Sequence, residues 1–390
     1  MNSYFDKLVD RRNTHSVKWD SVKKVFGTED ILPMWVADMD FVTLPEIIES
    51  IQHRAAHGIF GYTTVPDELN NAIVNWMSKK HGWNIRKEWL VYTPGVVASL
   101  NLSVSALTSP EDSVIIQPPV YPPFLSVARN HDRHTVMSQL IFKGNQYYMD
   151  FEDLENKMAS GAKMMILCSP HNPVGRVWTR DELNKLIELC LKYNVLLVSD
   201  EIHSDLIYPS YKHIPIASLS KDLTQHSVTC ISPSKTFNIP GLMLSAAIIP
   251  NDKLRQKFRA LINRFAISSV NILGMVAAQA AYTHGHKWLS ELINYLKGNL
   301  EYLKSFIHDH IPQIEIVEPQ GTYLVWLNFN KLGMDAKQLN DFMVNRARIG
   351  LNNGVDFGPG GEGFMRMNIA CPRRTLIEGL NRLKTAIEKI

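Results

Sequence analysis

Cysteine, long apolar runs and clustered charge are all scarce in this chain of 390 residues. Its four cysteines, Cys168, Cys190, Cys230 and Cys371, are widely separated. Cys168 and Cys230 lie in apolar, strand-like segments where the thiol behaves as a small hydrophobe, so free thiols in a reducing cytoplasm are expected rather than a disulfide framework. The most apolar stretches, such as residues 242–250, fall far short of the roughly 20 residues a bilayer-spanning helix needs, so no membrane association is expected. Residues 1–13 interleave Asp6, Lys7, Asp10, Arg11 and Arg12 with apolar positions, which argues against a secretory leader. The formal net charge is only +3, and lysine and arginine are scattered without a run of five or six. That distribution excludes the basic stripe of a nucleic-acid binder and favours small-molecule chemistry. There is no internal repeat and no low-complexity linker.

What is present is a hydrophobic content of 45%, enough to bury a large core, on a length that suggests two or three closely packed domains. From about residue 90, short β-rich apolar runs alternate with helical patterns, the signature of a mostly parallel sheet with helices on both faces. The expected strands are residues 89–93, 113–117, 164–168, 195–199, 227–231 and 243–249. Residues 179–193 carry Leu183, Leu186, Ile187, Leu189 and Cys190 on one helical face, with Thr179 and Glu182 forming a capping box. After Gly285 the pattern changes: a long helix over 288–310, strands over 313–317 and 322–328, and two more helices around 364–370. This reads as a smaller α+β domain. The expected division is 46–285 for the large domain, and 1–45 with 286–390 for the small one.

Four segments that follow strands carry groups with chemistry. Ile231-Ser-Pro-Ser-Lys-Thr-Phe-Asn-Ile-Pro-Gly241 sets Lys235 among hydroxyls; a lysine held neutral forms a Schiff base with an aldehyde, and Ser232, Ser234 and Thr236 offer hydrogen bonds to a phosphate. Most lysines, however, are solvated surface groups. In Leu197-Val-Ser-Asp-Glu-Ile-His-Ser-Asp205, Asp200 suits a pyridine nitrogen kept protonated, or a cap at a strand end. Asn172 in Ser169-Pro-His-Asn-Pro-Val-Gly175 suits a phenolate-type oxygen, or an ordinary Asn-Pro turn. Thr93-Pro-Gly-Val-Val97 places the backbone N–H groups of Gly95, Val96 and Val97 where a helix start receives a phosphate.

Taken with Met34-Trp-Val-Ala-Asp-Met-Asp-Phe41, Phe60-Gly-Tyr-Thr63, Pro118-Pro-Val-Tyr-Pro-Pro-Phe124, Asn172-Pro-Val-Gly-Arg-Val-Trp178 and Phe364-Met-Arg-Met-Asn-Ile-Ala-Cys-Pro372, these segments resemble, over nearly the whole chain, the fold-type I pyridoxal 5′-phosphate (PLP) enzymes. The resemblance is to the cystathionine β-lyase and cysteine-S-conjugate β-lyase (MalY/PatB) branch of the aminotransferase superfamily. It implies an α/β fold-type I PLP-dependent transferase fold: a large domain whose mostly parallel central sheet is flanked by helices, plus a smaller α+β domain. It further implies that Lys235 holds the cofactor as a Schiff base, Asp200 pairs with the pyridine nitrogen, Asn172 contacts the ring oxygen and Tyr121 stacks on the ring. Ser232, Ser234 and the 95–97 loop would hold the phosphate, with Tyr62 reaching the phosphate of a neighbouring subunit in a homodimer with shared active sites. Arg366 would bind the carboxylate of an amino-acid thioether substrate, inside a pocket shaped around Trp35, Tyr121 and Tyr323. His203 stands where many relatives carry tyrosine, and tunes the ring-oxygen network or merely packs there. Two departures stand out. Met243 occupies the position eight residues after the lysine where aminotransferases commonly place a phosphate-binding arginine, and Asn238-Ile-Pro-Gly replaces the usual Asn-Leu-Ala-Gly.

The implied activity is β-elimination to a thiol, pyruvate and ammonia. Aminotransfer would use the same residues, and a lyase with an added transcription-regulator-binding role is a third reading. Other patterns are set aside. Gly358-Pro-Gly-Gly-Glu-Gly363 matches a dinucleotide fingerprint but neither follows an obvious strand nor opens a helix. His53 and His57 have the spacing of a zinc helix, but Arg54 stands where the catalytic glutamate would be. His284, His286, His308 and His310 sit at the ends of the long helix, and no metal site is expected.

Overall fold

The computed structural model of the protein describes residues 4–390. Strands β1 (Leu90–Thr93), β2 (Ser113–Ile116), β3 (His134–Met137), β4 (Met164–Cys168), β5 (Leu196–Asp200), β6 (Ser227–Ile231) and β7 (Ser245–Ile248) form a seven-stranded sheet in the order β1-β7-β6-β5-β4-β2-β3. From β6 to β3 the strands are parallel; β7 runs against both of its neighbours. Every residue of β4, β5 and β6 is buried, as expected of strands covered on both faces.

Helix α1 (Asp67–His81) precedes the sheet, and α2 (Val96–Leu107) and α3 (Arg180–Lys192) cross between its strands. The capping box of α3 forms as the sequence requires: Thr179 Oγ1 accepts from the Glu182 N–H, and the Glu182 carboxylate accepts from the Thr179 N–H. Arg176 locks that carboxylate with two further hydrogen bonds, at 2.5 and 2.7 Å.

The long helix α4 (His286–His310) leads to a four-stranded antiparallel sheet, β8 (Glu315–Ile316), β9 (Leu324–Asn328), β10 (Asn352–Asn353) and β11 (Phe364–Asn368), ordered β8-β9-β11-β10. The helices expected around 364–370 flank that segment, at Ala336–Asp341 continuing into Phe342–Ala347 and at Arg373–Ile387, while 364–368 itself is a buried strand. Two early elements join this half. Leu32–Pro33 pairs in parallel with Ile349–Gly350, and the Asn368 side chain donates to the carbonyls of Val36 and Asp38 at 2.7 and 2.6 Å. Lys18 and Asp40, both buried, form an ion pair at 2.6 Å beneath this strap, with Arg11 closing on Asp38 and Asp40 at 2.7 Å each.

The four cysteines are free and buried. Among the described residues, no helix is long and apolar enough to cross a membrane.

Candidate active site

The C-terminal ends of β1, β4, β5 and β6 lie along one edge of the large sheet, where an open α/β fold presents its ligand crevice. A cavity of about 410 Å³ opens there. Gly95, Val96 and Val97 line one part of it, Asn172, Asp200 and His203 another, and Tyr121, Ser234 and Lys235 complete the group.

At the β1 end, Thr93 Oγ1 meets both Ser99 Oγ and Ser245 Oγ at 2.6 Å, pinning the start of α2 to the sheet. Gly95 has φ 133°, which glycine alone adopts comfortably. The first helical bond at this end runs from the Ser99 N–H to the Gly95 carbonyl at 3.1 Å, so the N–H groups of Val96, Val97 and Ala98 have no partner within the helix. They form an anion-receptive turn beside the cavity.

The loop after β6 is wound tightly. Ser232 Oγ donates to the Leu244 carbonyl at 2.8 Å and lies 2.9 Å from Ser234 Oγ. Ser234 lines the cavity, whereas Ser232 is buried and is not part of its lining. Thr236 departs from expectation: its hydroxyl is fully buried and donates to Asp205 Oδ2 at 2.8 Å, turned to the protein interior rather than to a phosphate. Lys235 Nζ donates to the Ala37 carbonyl at 2.7 Å. Burial lowers its pKa to about 8; Asp38 and Asp200 oppose that shift and Arg366 adds to it.

Asp200 ends β5 with Oδ1 accepting from the Ile202 N–H at 3.1 Å. Burial raises its pKa to about 7 against the opposing Ile202 hydrogen bond, with Glu201 adding to the rise and Lys235 opposing it. His203 is depressed to about 3, again chiefly by burial, so its ring is neutral; its Nδ1 is buried without a hydrogen-bond partner.

Asn172 is fixed by Arg366, whose Nη1 donates to Asn172 Oδ1 at 2.9 Å, leaving the amide nitrogen as the donor available to a cavity ligand. Arg366 comes from β11. Its Nη2 donates to Asn352 Oδ1 at 2.6 Å and to the Trp35 carbonyl at 3.1 Å, and its guanidinium lies 5.0 Å from the centre of the Phe357 ring. Its Nε is buried and unpartnered, and burial draws its pKa down to about 10. Tyr323 Oη donates to the same Ala37 carbonyl as Lys235, at 2.9 Å.

Two residues stand apart. The Trp35 indole donates to the Lys18 carbonyl at 3.0 Å, packs edge-on against Phe26 and faces a different cleft; only its carbonyl reaches the site. Tyr62 is fully exposed, in a loop where Ile59 and Phe60 are exposed as well. Residues outside the sequence expectation also contribute, Ala37 through its carbonyl and Cys168 as lining, and Met243, which stands in place of the phosphate-binding arginine, lines the cavity as well. A second cavity of about 580 Å³ adjoins the first at Ala37, Lys235 and Pro240, walled by Val9, Arg11 and Asp38. In the 358–363 loop Gly358, Gly360 and Gly363 have φ of 87°, 82° and 77°, and a Cβ on Gly361 would lie 1.9 Å from the Gly354 carbonyl oxygen. His53 and His57 are exposed, and among the described residues no three metal-ligating side chains come together.

A family model for aminotransferase class I and II matches residues 29–383. The chain is 45% identical to the cystathionine β-lyase PatB of Bacillus subtilis, over 98% of this chain and 99% of that protein. Its backbone superposes on cystalysin from Treponema denticola, a crystal structure containing PLP, with a TM-score of 0.95 at 37% identity, covering all of both chains. It superposes on a PLP-bound C–S lyase from Staphylococcus hominis with a TM-score of 0.91 at 34% identity, covering 99% of this chain and 98% of that one.

Proposed function

The chain belongs to the aminotransferase class I and II family, and from that premise we propose a PLP-dependent carbon–sulfur β-lyase that cleaves cystathionine or other cysteine S-conjugates. The carrying observation is one cavity that unites a depressed lysine, a buried carboxylate and an anion-receptive helix start. These groups fit PLP feature by feature. A phosphate suits the free N–H groups of the α2 start and the Ser234 hydroxyl. The Asp200 carboxyl, raised by burial and with no cation among the described residues in ion-pair contact, gains one from a protonated pyridine. Asn172 and the orphaned His203 Nδ1 are polar groups for the ring-oxygen side, Tyr121 offers an aromatic face, and Lys235 offers an amine for the aldehyde.

Bound PLP supplies the electron sink for charge released at the substrate Cα. Arg366 holds the substrate carboxylate, with Asn172, Asn352 and the Trp35 carbonyl fixing its plane. Lys235, with a pKa of about 8, is poised as general base for the Cα proton, and the Ala37 carbonyl orients the amine. Asp200 holds the pyridine proton. The net reaction consumes one water per thioether and yields one thiol, one pyruvate and one ammonium ion.

A homodimer is part of the proposal, supported by the fully exposed Tyr62 and its apolar neighbours Ile59 and Phe60. So are cytoplasmic residence and the domain division at residues 45 and 285, for which the two separate sheets speak. Thiol and pyruvate release from cystathionine and S-substituted cysteines, with no keto acid added and Lys235→Ala alongside, tests the reading. Equal yields lost in the variant support a lyase; turnover only after addition of a keto acid replaces it with aminotransfer.

A further inference from the structure

Behind the cavity lies a cluster of buried ionisable groups that the proposed chemistry does not use. Asp205 Oδ1 accepts hydrogen bonds from Trp76 Nε1 and His81 Nε2, each at 2.9 Å, both on α1. Its Oδ2 accepts from Thr236 Oγ1 at 2.8 Å. Glu201, four residues earlier, accepts from Ser199 Oγ at 2.9 Å and the Ile216 N–H at 3.3 Å, and pairs with His213 Nε2 at 2.9 Å. The His81 and His213 rings meet edge-on at 5.6 Å, closing the cluster. Asp205 is held below its ordinary pKa: burial pushes it up, but the hydrogen bonds and charge of His81, with those of Thr236 and Trp76, prevail.

We propose that Asp205 is a positioning residue that sets the span between Lys235 and Asp200; this rests on the reading of those two residues as the cofactor's anchors. Lys235 sits on a loop between strands, and the residue after it is tied to Asp205. Asp205 lies on the turn that begins at Asp200, and Glu201 clamps that turn to β5 and to the 213–216 segment. The Thr236–Asp205 bond therefore joins the two anchoring segments directly. Apolar packing would stabilise a buried turn at least as well as a charged group, so a fully desolvated carboxylate here indicates a requirement for fixed geometry. Misplacement on the scale of an ångström costs about 100-fold in well-oriented reactions, so a one-bond loosening should cost less.

The test uses the full-length PLP-loaded protein with Thr236→Val, Thr236→Ser and Asp205→Asn. Three readouts are followed: kcat and KM, the pH titration of the bound cofactor's visible absorbance, and labelling of Lys235 by an amine-reactive anhydride in cofactor-free protein. Thr236→Val is expected to lower kcat about 10-fold with KM within about twofold, and to shift both the absorbance titration and the labelling profile. Thr236→Ser restores them, and Asp205→Asn combined with Thr236→Val is no worse than Asp205→Asn alone. Wild-type kcat, absorbance titration and labelling in Thr236→Val, even with a lowered melting temperature, overturn the positioning role. Wild-type protein that binds no PLP overturns instead the reading of Lys235 beneath it. Thr236→Val leaves the charged cluster in place, so the result stands even where Asp205→Asn fails to fold.

Discussion

Arg366 on the small sheet and Asn172 on the loop after β4 of the large sheet are joined by a hydrogen bond of 2.9 Å. The group assigned to the substrate carboxylate and the group assigned to the cofactor's ring oxygen are thus one rigid unit across the two halves. Arg366→Lys keeps the charge but loses the planar fork that serves Asn172, Asn352 and the Trp35 carbonyl together. KM for a cysteine S-conjugate is expected to rise about 10–100-fold, as for loss of a charged hydrogen bond, with cofactor absorbance retained. An unchanged KM would remove Arg366 from carboxylate binding.

Lys235→Met is expected to abolish thiol release, and it should also have a signature in the cofactor-free protein. The Lys235 pKa of about 8 lies below its ordinary value of 10.5. Between those values the unfolded chain binds more protons than the folded one, so the stability of the unsubstituted protein rises with pH across that window. Below it, the folded protein carries a buried charge that the variant lacks. Lys235→Met is therefore expected to melt higher than wild type at pH 7, with the gap closing toward pH 10.5. A constant gap would mean that the amine is not desolvated.

The strap makes a stability prediction. Lys18 and Asp40 are buried and paired at 2.6 Å, and Arg11 reaches the other Asp40 oxygen. Lys18→Met leaves Asp40 with Arg11 and Trp19 alone, so denaturant unfolding should show a loss near the lower end of about 3–5 kcal/mol. Lys23→Met, which breaks a pair fully open to solvent, should leave stability nearly unchanged.

Much of this site was legible because its groups stand at strand ends: apolar runs announced β4, β5 and β6, Asp200 closes β5, and Asn172 and Lys235 lie just beyond β4 and β6. The hidden parts have physical reasons. Strand 364–368 carries Arg366 at its centre, a charge that disguises a buried strand. The Ala37 carbonyl holds Lys235 and Tyr323 together, and a backbone acceptor leaves no mark in side-chain identity. Thr236 and Trp35 carry suitable side chains in the right segments, yet Thr236 turns to Asp205 and the Trp35 indole to the Lys18 carbonyl. Which way a side chain faces within a loop depends on partners distant in sequence. The edge strand β3 is short and partly exposed, so it lacked the apolar run that marked its neighbours.

The loop around Tyr62 tests the assembly. A tyrosine this exposed, beside exposed Ile59 and Phe60, is expected to become covered in a dimer, which sedimentation at micromolar concentration would show. If Tyr62 completes a neighbour's phosphate site, Tyr62→Phe lowers PLP affinity by about 10-fold, the worth of one charge-assisted hydrogen bond. A fully active monomer would sink both expectations.

Asp200→Asn separates stability from function most sharply. The folded-state pKa of about 7 lies above the ordinary value of 3.8, so between them the folded protein binds more protons than the unfolded chain. The stability of the cofactor-free protein accordingly falls as pH rises through that window, and above it the full cost of the buried anion is present. Asparagine retains an oxygen to accept the Ile202 N–H bond and carries no charge. The cofactor-free variant should therefore match wild type near pH 4 and melt higher at pH 8. With PLP the order reverses: asparagine cannot hold the pyridine nitrogen protonated, and pyruvate release should fall by about 100–1,000-fold, the scale of losing one preorganised electrostatic group. A carboxylate that weakens the empty protein and enables the loaded one is how a site reserved for a cationic ring behaves. If Asp200→Asn instead destabilised the cofactor-free protein at pH 8, Asp200 would be a structural cap and the assignment of the pyridine site would fall with it.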